Sequence, residues 1–162
     1  PEHEFSKTLL ESGLTQGLNF WYYTQRYVGP ITADIITTPD QLNQAMKVFW
    51  KEVSKFDDTN YFSDEELETA KSVLRTSTLY RSEALSEFSK DLAFWWAAAG
   101  LDYYGHYLDD LSKVTKQDIV NYVHKYIQNK PYVLGVALSE KAAQKVRPSM
   151  QSLGDPYSTA NQ

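Results

Sequence analysis

Three histidines, His3, His106 and His124, are the residues of this chain best suited to hold a metal or move a proton. A zinc site built on a helix places two ligands one turn apart on one face. None of the three has a second histidine at that spacing, and the H-x-x-E-H pattern of a zinc peptidase is absent. His3 lies in a frayed-looking start, His106 in Tyr-Gly-His-Tyr, and His124 on the solvent side of a tyrosine-rich helix. The expectation is three surface or satisfied histidines, no catalytic residue and no metal ligand. Glu65, Glu66 and Glu68 look like general-acid material, but they open a helix, where negative charge favours the macrodipole. Asp57-Asp58 and Asp109-Asp110 read as solvated loop or helix-end groups.

Other chemistries lack their signatures. There is no G-x-S-x-G for a nucleophile elbow, and Gly13 and Gly17 flank no Lys-Ser or Lys-Thr of a phosphate loop. The absence of cysteine removes disulfides, thiolate metal sites and cysteine catalysis. Phe94-Trp95-Trp96 with Tyr103-Tyr104 could line a groove. Adjacent helical residues point about 100° apart, so one tryptophan faces the core and the other marks an interface or a ligand site.

These side chains sit in a chain of 162 residues with net charge −5. That length suits one domain with a real core. Aromatic and basic residues are not interleaved, which argues against a nucleic-acid groove. No apolar run approaches the ~20 residues that span a bilayer. No signal peptide is visible, and the start at Pro1-Glu2-His3-Glu4 reads as a domain excised from something longer, or a processed product.

The elements follow from pattern. Phe5 and Leu9 share a helical face that Gly13 ends. Residues 18–27 alternate as a strand, Gly29-Pro30 turns, and residues 31–37 return as its antiparallel partner. Thr38-Pro39-Asp40-Gln41 predicts a capped helix start, followed by a stripe of Leu42, Met46, Phe49 and Val53. Ser63 with Glu66 predicts a second capping box, and its helix carries Leu67, Ala70, Val73 and Leu74 on one stripe. That helix runs towards Tyr80-Arg81, with a break near 82–85; another spans about 85–99, ending at Gly100, and a short one 103–111. Thr115 caps the last long helix, with a buried stripe of Ile119, Tyr122, Val123, Tyr126 and Ile127. Residues 132–138 are almost wholly apolar and predict a central strand covered on both faces, and 139–146 add a helical turn or two. The result is an α+β fold, with helices packed on one face of a small antiparallel sheet, over residues 1–146; residues 147–162 are expected as a loosely ordered tail.

From residue 5 to residue 138 the order and spacing of these features resemble the pitrilysin/insulinase, or inverzincin, family of zinc metallopeptidases. The likeness is carried by Phe-x-x-x-Leu-x-x-x-Gly-Leu at 5–14, the hairpin and the capped helix after Thr38. Glu66-Leu-x-x-Ala-Lys71 and Val114-Thr-x-x-Asp-Ile119 before the last apolar segment complete it. The resemblance implies the C-terminal, non-catalytic portion of one of two similar repeats that enclose a chamber. The other repeat carries H-x-x-E-H and a later Glu, holds zinc, and uses the motif's own Glu as base on the metal-bound water. It would lie in the same polypeptide or in a partner subunit, with peptides as substrate. Many relatives grip substrate from the zinc-free repeat with an Arg and a Tyr seven residues apart. Aligned on Gly13-Leu14, those positions here are Leu9 and Gln16, which have neither group. The resemblance leaves two functional expectations: the chamber-closing repeat of a zinc endopeptidase, or a zinc-free scaffold or binding module like the non-catalytic core subunits of respiratory complexes. From bacterial members alone it inclines towards a periplasmic or extracytoplasmic place.

Overall fold

The structure, a computed structural model, describes residues 3–146 and residue 153. It is α+β, as the pattern predicts. His3 caps a first turn, α1 (Glu4–Ser6), its Nδ1 accepting from the Phe5 N–H at 3.1 Å. The chain widens into a π-helical turn over Lys7–Glu11 and stops at Gly13, whose φ of 75° favours glycine. Strands β1 (Gly17–Tyr22) and β2 (Ile31–Ile36) pair antiparallel, Gly17 opposite Ile36 and Tyr22 opposite Ile31. β1 ends five residues before the expected limit, and residues 24–27 line a groove with the end of the 85–98 helix and the start of the next.

Helix α2 (Leu42–Val53) organises the core. Leu42, Ala45, Met46, Phe49 and Val53 are buried, and Leu9, Leu18, Phe20, Ile35, Leu134 and Leu138 pack around them. The predicted stripe is therefore the real one. The predicted cap is not. Gln41 is the N-cap, without a side-chain bond, while the Thr38 carbonyl accepts from the Gln41 N–H and its hydroxyl donates to the Gln41 side chain. This turn over 38–41 uses the groups that would have capped an earlier start, and the helix begins three residues later.

α3 (Asp64–Glu83), α4 (Leu85–Ala98) and α5 (Leu101–Lys113) follow, breaking at Ala84 and Gly100 near the expected points. The capping box at Ser63 is present: its side chain accepts from the Glu66 N–H at 3.1 Å while Glu66 accepts from the Ser63 N–H at 2.7 Å. α6 (Lys116–Tyr126) has the same device from Thr115 and Asp118. These caps satisfy orphan donors with local side chains alone, which is why sequence finds them.

Burial departs from prediction where the neighbour is missing. No residue of α3, α4 or α5 is fully buried; on the predicted stripe Leu67 is half-buried, while Ala70, Val73 and Leu74 are exposed. On α6 the buried pair is Val120 and Val123, whereas Tyr122 and Tyr126 lie open. The largest correction concerns 132–138. The segment joins no ladder among the described residues, and Val133 is 97% exposed. Only Leu134 and Leu138 reach the core. Apolar composition says what a segment would bury, and here β2 stands across a cleft instead of beside it. α7 (Glu140–Val146) is the last of the described elements. The expected tail at 147–162 lies outside the described residues except for Leu153, which is buried in the main core.

Candidate functional site

The histidines are dispersed into separate local bonds. His3 caps α1 and meets the Tyr61 ring edge-on, with centroids 4.8 Å apart. His106 donates from Nδ1 to the Asp102 carbonyl at 2.8 Å, one turn back on α5. His124 donates from Nε2 to the Asp57 carboxylate at 3.2 Å. Among the described residues no group of three or more His, Cys, Asp or Glu side chains could hold a metal ion. Glu66 is occupied in its capping box, and the Ser63 backbone N–H holds its carboxyl below the usual range. Glu68 pairs with Lys71 at 2.8 Å.

The two positions that the resemblance singles out have unlike fates. Leu9 is 0% exposed at the centre of the core. Its carbonyl, freed by the wide π turn, accepts from both the Thr15 N–H and the Thr15 hydroxyl at 3.0 Å. Gln16 is exposed, and its N–H bonds the Ile36 carbonyl at the end of the hairpin. Leu9 is thus a packing residue, and Gln16 a strand-entry residue whose amide faces solvent.

Three sites hold more structure. The first is a buried polar cluster that pattern reading passes over. Glu52 is 1% exposed inside the α2 face. Its Oε1 accepts from Lys55 Nζ at 2.7 Å, and its Oε2 accepts from the Tyr61 hydroxyl at 2.8 Å. Burial first, and the bond to Glu52 second, push the Tyr61 phenol well above its ordinary value. Sequence does carry a signal for this. Glu52 lies seven residues after Ala45 and adjoins Val53, so it falls on the apolar face, where a charge requires partners.

The second site is an aromatic groove of about 840 Å³ between residues 22–27, the end of α4 and the start of α5. Trp95 lies among Tyr103, Tyr104 and Tyr107 at centroid distances of 5.3, 6.3 and 5.5 Å. Trp96 points outward, 70% exposed. The adjacent tryptophans thus divide their directions as helical geometry requires. Tyr22 and Arg26 complete the groove, and sequence offered no reason to place them there. Partial burial pushes the Tyr103 phenol up, helped by Tyr107, Asp110 and Tyr22.

The third is an apolar cleft of about 620 Å³ bounded by the inner face of the sheet, α2 and residues 130–138. Ile31, Ala33, Ile35, Met46, Trp50 and Leu134 line it, and among the described residues Lys130 is the single charged side chain on its wall. Its volume falls in the ~300–1,000 Å³ range of ligand sites. Thr37, Thr38, Tyr126 and Tyr132 are the hydroxyl-bearing residues on its wall among the described residues.

No family model matches this chain, and no curated protein sequence matches it. No helix among the described residues is long and apolar enough to cross a membrane.

Proposed function

We propose that this chain is the non-catalytic C-terminal repeat of a zinc metalloendopeptidase, closing a peptide chamber opposite the zinc-bearing repeat. On this reading the chain is inactive alone. Its partner is the zinc-bearing repeat, in the same polypeptide or a second subunit. The observation that carries the reading is the helical layer α3–α5, in which no residue is buried while Leu74, Phe88, Phe94 and Trp96 stand open to solvent. Monomeric proteins rarely leave such faces uncovered, and a second repeat is a body of the size needed to cover them. The order of hairpin, capped helices and final apolar segment supports the same reading. The experiment is the intact mass and zinc content of the native protein. A product much longer than 162 residues with about one zinc per chain is expected. A zinc-free product with no zinc-bearing subunit co-purifying refutes it.

A zinc-free pseudopeptidase scaffold or protein-binding module is the second reading, and Leu9 and Gln16 favour it. A buried leucine and a solvent-facing amide cannot supply the guanidinium and phenol that grip substrate in many relatives. The zinc-free outcome of the same measurement would support this alternative.

A further inference from the structure

We propose that the aromatic groove between residues 22–27 and the junction of α4 and α5 binds an acidic oligosaccharide, one whose pyranose rings carry carboxylates. The inference does not rest on the peptidase reading, which gives this groove no ligand.

Two features of the wall suit a sugar. The first is ring surface. The planes of Tyr103 and Tyr107 are each tilted 35° from that of Trp95, so neighbouring rings face broadly alike. Tyr22 and Tyr27 add rings from the 22–27 segment, and Tyr27 is 88% exposed. A pyranose has apolar C–H faces that rest on such rings and shed water as they do. The second feature is a set of unspent polar groups. The wall carries the hydroxyls of Tyr22, Tyr27, Tyr103 and Tyr107, the amide of Gln25, and the indole N–H groups of Trp95 and Trp96. Among the described residues, none of these side chains hydrogen-bonds another part of the protein. Outside the groove the same kinds of group are spent: the Trp21 indole donates to Asp34 at 3.0 Å, and the Tyr61 hydroxyl to Glu52 at 2.8 Å. Phenols and amides both donate and accept, as sugar hydroxyls do. The groove's volume of about 840 Å³ lies in the range of ligand sites.

Charge decides which sugar. Among the described residues Arg26 is the single charged side chain on the wall. Its guanidinium lies 5.8 Å from the centroid of the Tyr27 ring, and it forms no ion pair among the described residues. Asp110, the acid that acts on the Tyr103 phenol, is paired with Lys113 at 3.0 Å. A guanidinium beside a ring keeps its N–H edges for a carboxylate, which it can hold with two parallel bonds. Other occupants fit less well. A quaternary ammonium suits the rings but meets the charge of Arg26. A single-stranded nucleic acid needs cations along its backbone, and the groove offers one in a chain of net charge −5. A polyproline segment also suits the rings, but it has no anion for Arg26 and no N–H to donate to the phenols.

The test is calorimetric titration of the 162-residue chain with tetragalacturonate, with tetramannuronate, and with the methyl ester of the first, which keeps the rings and loses the charge. At least one uronate should bind, and the indole N–H resonances of Trp95 and Trp96 should move while that of Trp50 stays. The methyl ester should bind roughly 3–10-fold more weakly. Arg26→Gln, at an exposed position, should weaken the uronate by the same factor and leave the ester unchanged, because both changes remove one contact. Tyr27→Ala should weaken acid and ester alike. The proposal is overturned if neither uronate binds at about 10 mM, if acid and ester bind equally, or if the Trp50 resonance moves instead. Tighter binding of capped decaproline than of either sugar would also overturn it and make the groove a peptide site. So would loss of binding in a longer native protein, because the groove would then be an interface; the zinc content of that protein tests the peptidase reading separately. The acid–ester comparison uses the unaltered chain, so it decides the matter even where a variant fails to fold.

Discussion

Removing one hydroxyl should expose how much the buried Glu52 depends on its partners. In Tyr61→Phe the ring keeps its contacts with His3 and Phe56, at 4.8 and 5.5 Å. Only the 2.8 Å bond to Glu52 Oε2 is lost. Glu52 is 1% exposed, so water does not readily replace that donor, and Lys55 continues to serve Oε1 alone. A hydrogen bond to a charged group contributes about 1.5–3 kcal/mol. For a chain of this length each kcal/mol moves the melting temperature by about 2–4 °C, giving an expected fall of roughly 3–12 °C. Thermal and urea unfolding followed by near-ultraviolet circular dichroism would measure it. Glu52→Gln with Tyr61→Phe should lose less than the sum of the single changes, because both act on one bond. The pH dependence gives an independent check. The phenol of Tyr61 is raised in the folded state by burial and by Glu52, so the folded chain keeps a proton that the unfolded chain releases. That contribution is fully present below the unfolded value of about 10 and is lost as pH rises beyond it. Tyr61→Phe lacks this loss, so the two stability curves should converge in alkali. A destabilisation below about 0.5 kcal/mol at neutral pH, where surface changes fall, would refute the reasoning.

The other expectations follow from the same inventory of contacts. Leu9→Ala should destabilise by about 2–5 kcal/mol in urea melts, because a wholly buried side chain leaves a cavity; Gln16→Ala should stay within about 0.5 kcal/mol. Ser63→Ala and Thr115→Ala should each cost about 1 kcal/mol through lost caps, with early exchange of amides in the first turns of α3 and α6. Hydrogen bonds from Gln128 and then His124 hold the Asp57 carboxyl below its usual range. Its stabilisation is therefore present above the unfolded value of about 3.9 and is lost as pH falls through the lower folded one. Asp57→Asn should flatten the acid limb of the stability curve, and an unchanged limb would sink that assignment.

Local order was legible because its causes are local. Capping boxes need a hydroxyl and a carboxylate three residues apart, and both Ser63–Glu66 and Thr115–Asp118 close as their spacing requires. The α2 stripe and the glycine stop at Gly13 are equally short-range matters of period and φ. Tertiary structure alone decided what each apolar face meets. Residues 132–138 have the composition of a central strand, yet a strand exists only where a neighbour offers its backbone, and here a cleft intervenes. The stripe on α3 is periodic but mostly exposed, since periodicity names a face and not the surface that buries it. Glu52 finds Tyr61 and Lys55 only after α2 and the following turn are in place, and Tyr22 and Arg26 share a groove with Trp95 only in the folded chain. Hydrogen bonds within four residues are written in the order of the side chains; contacts across the fold depend on which surfaces are present to meet.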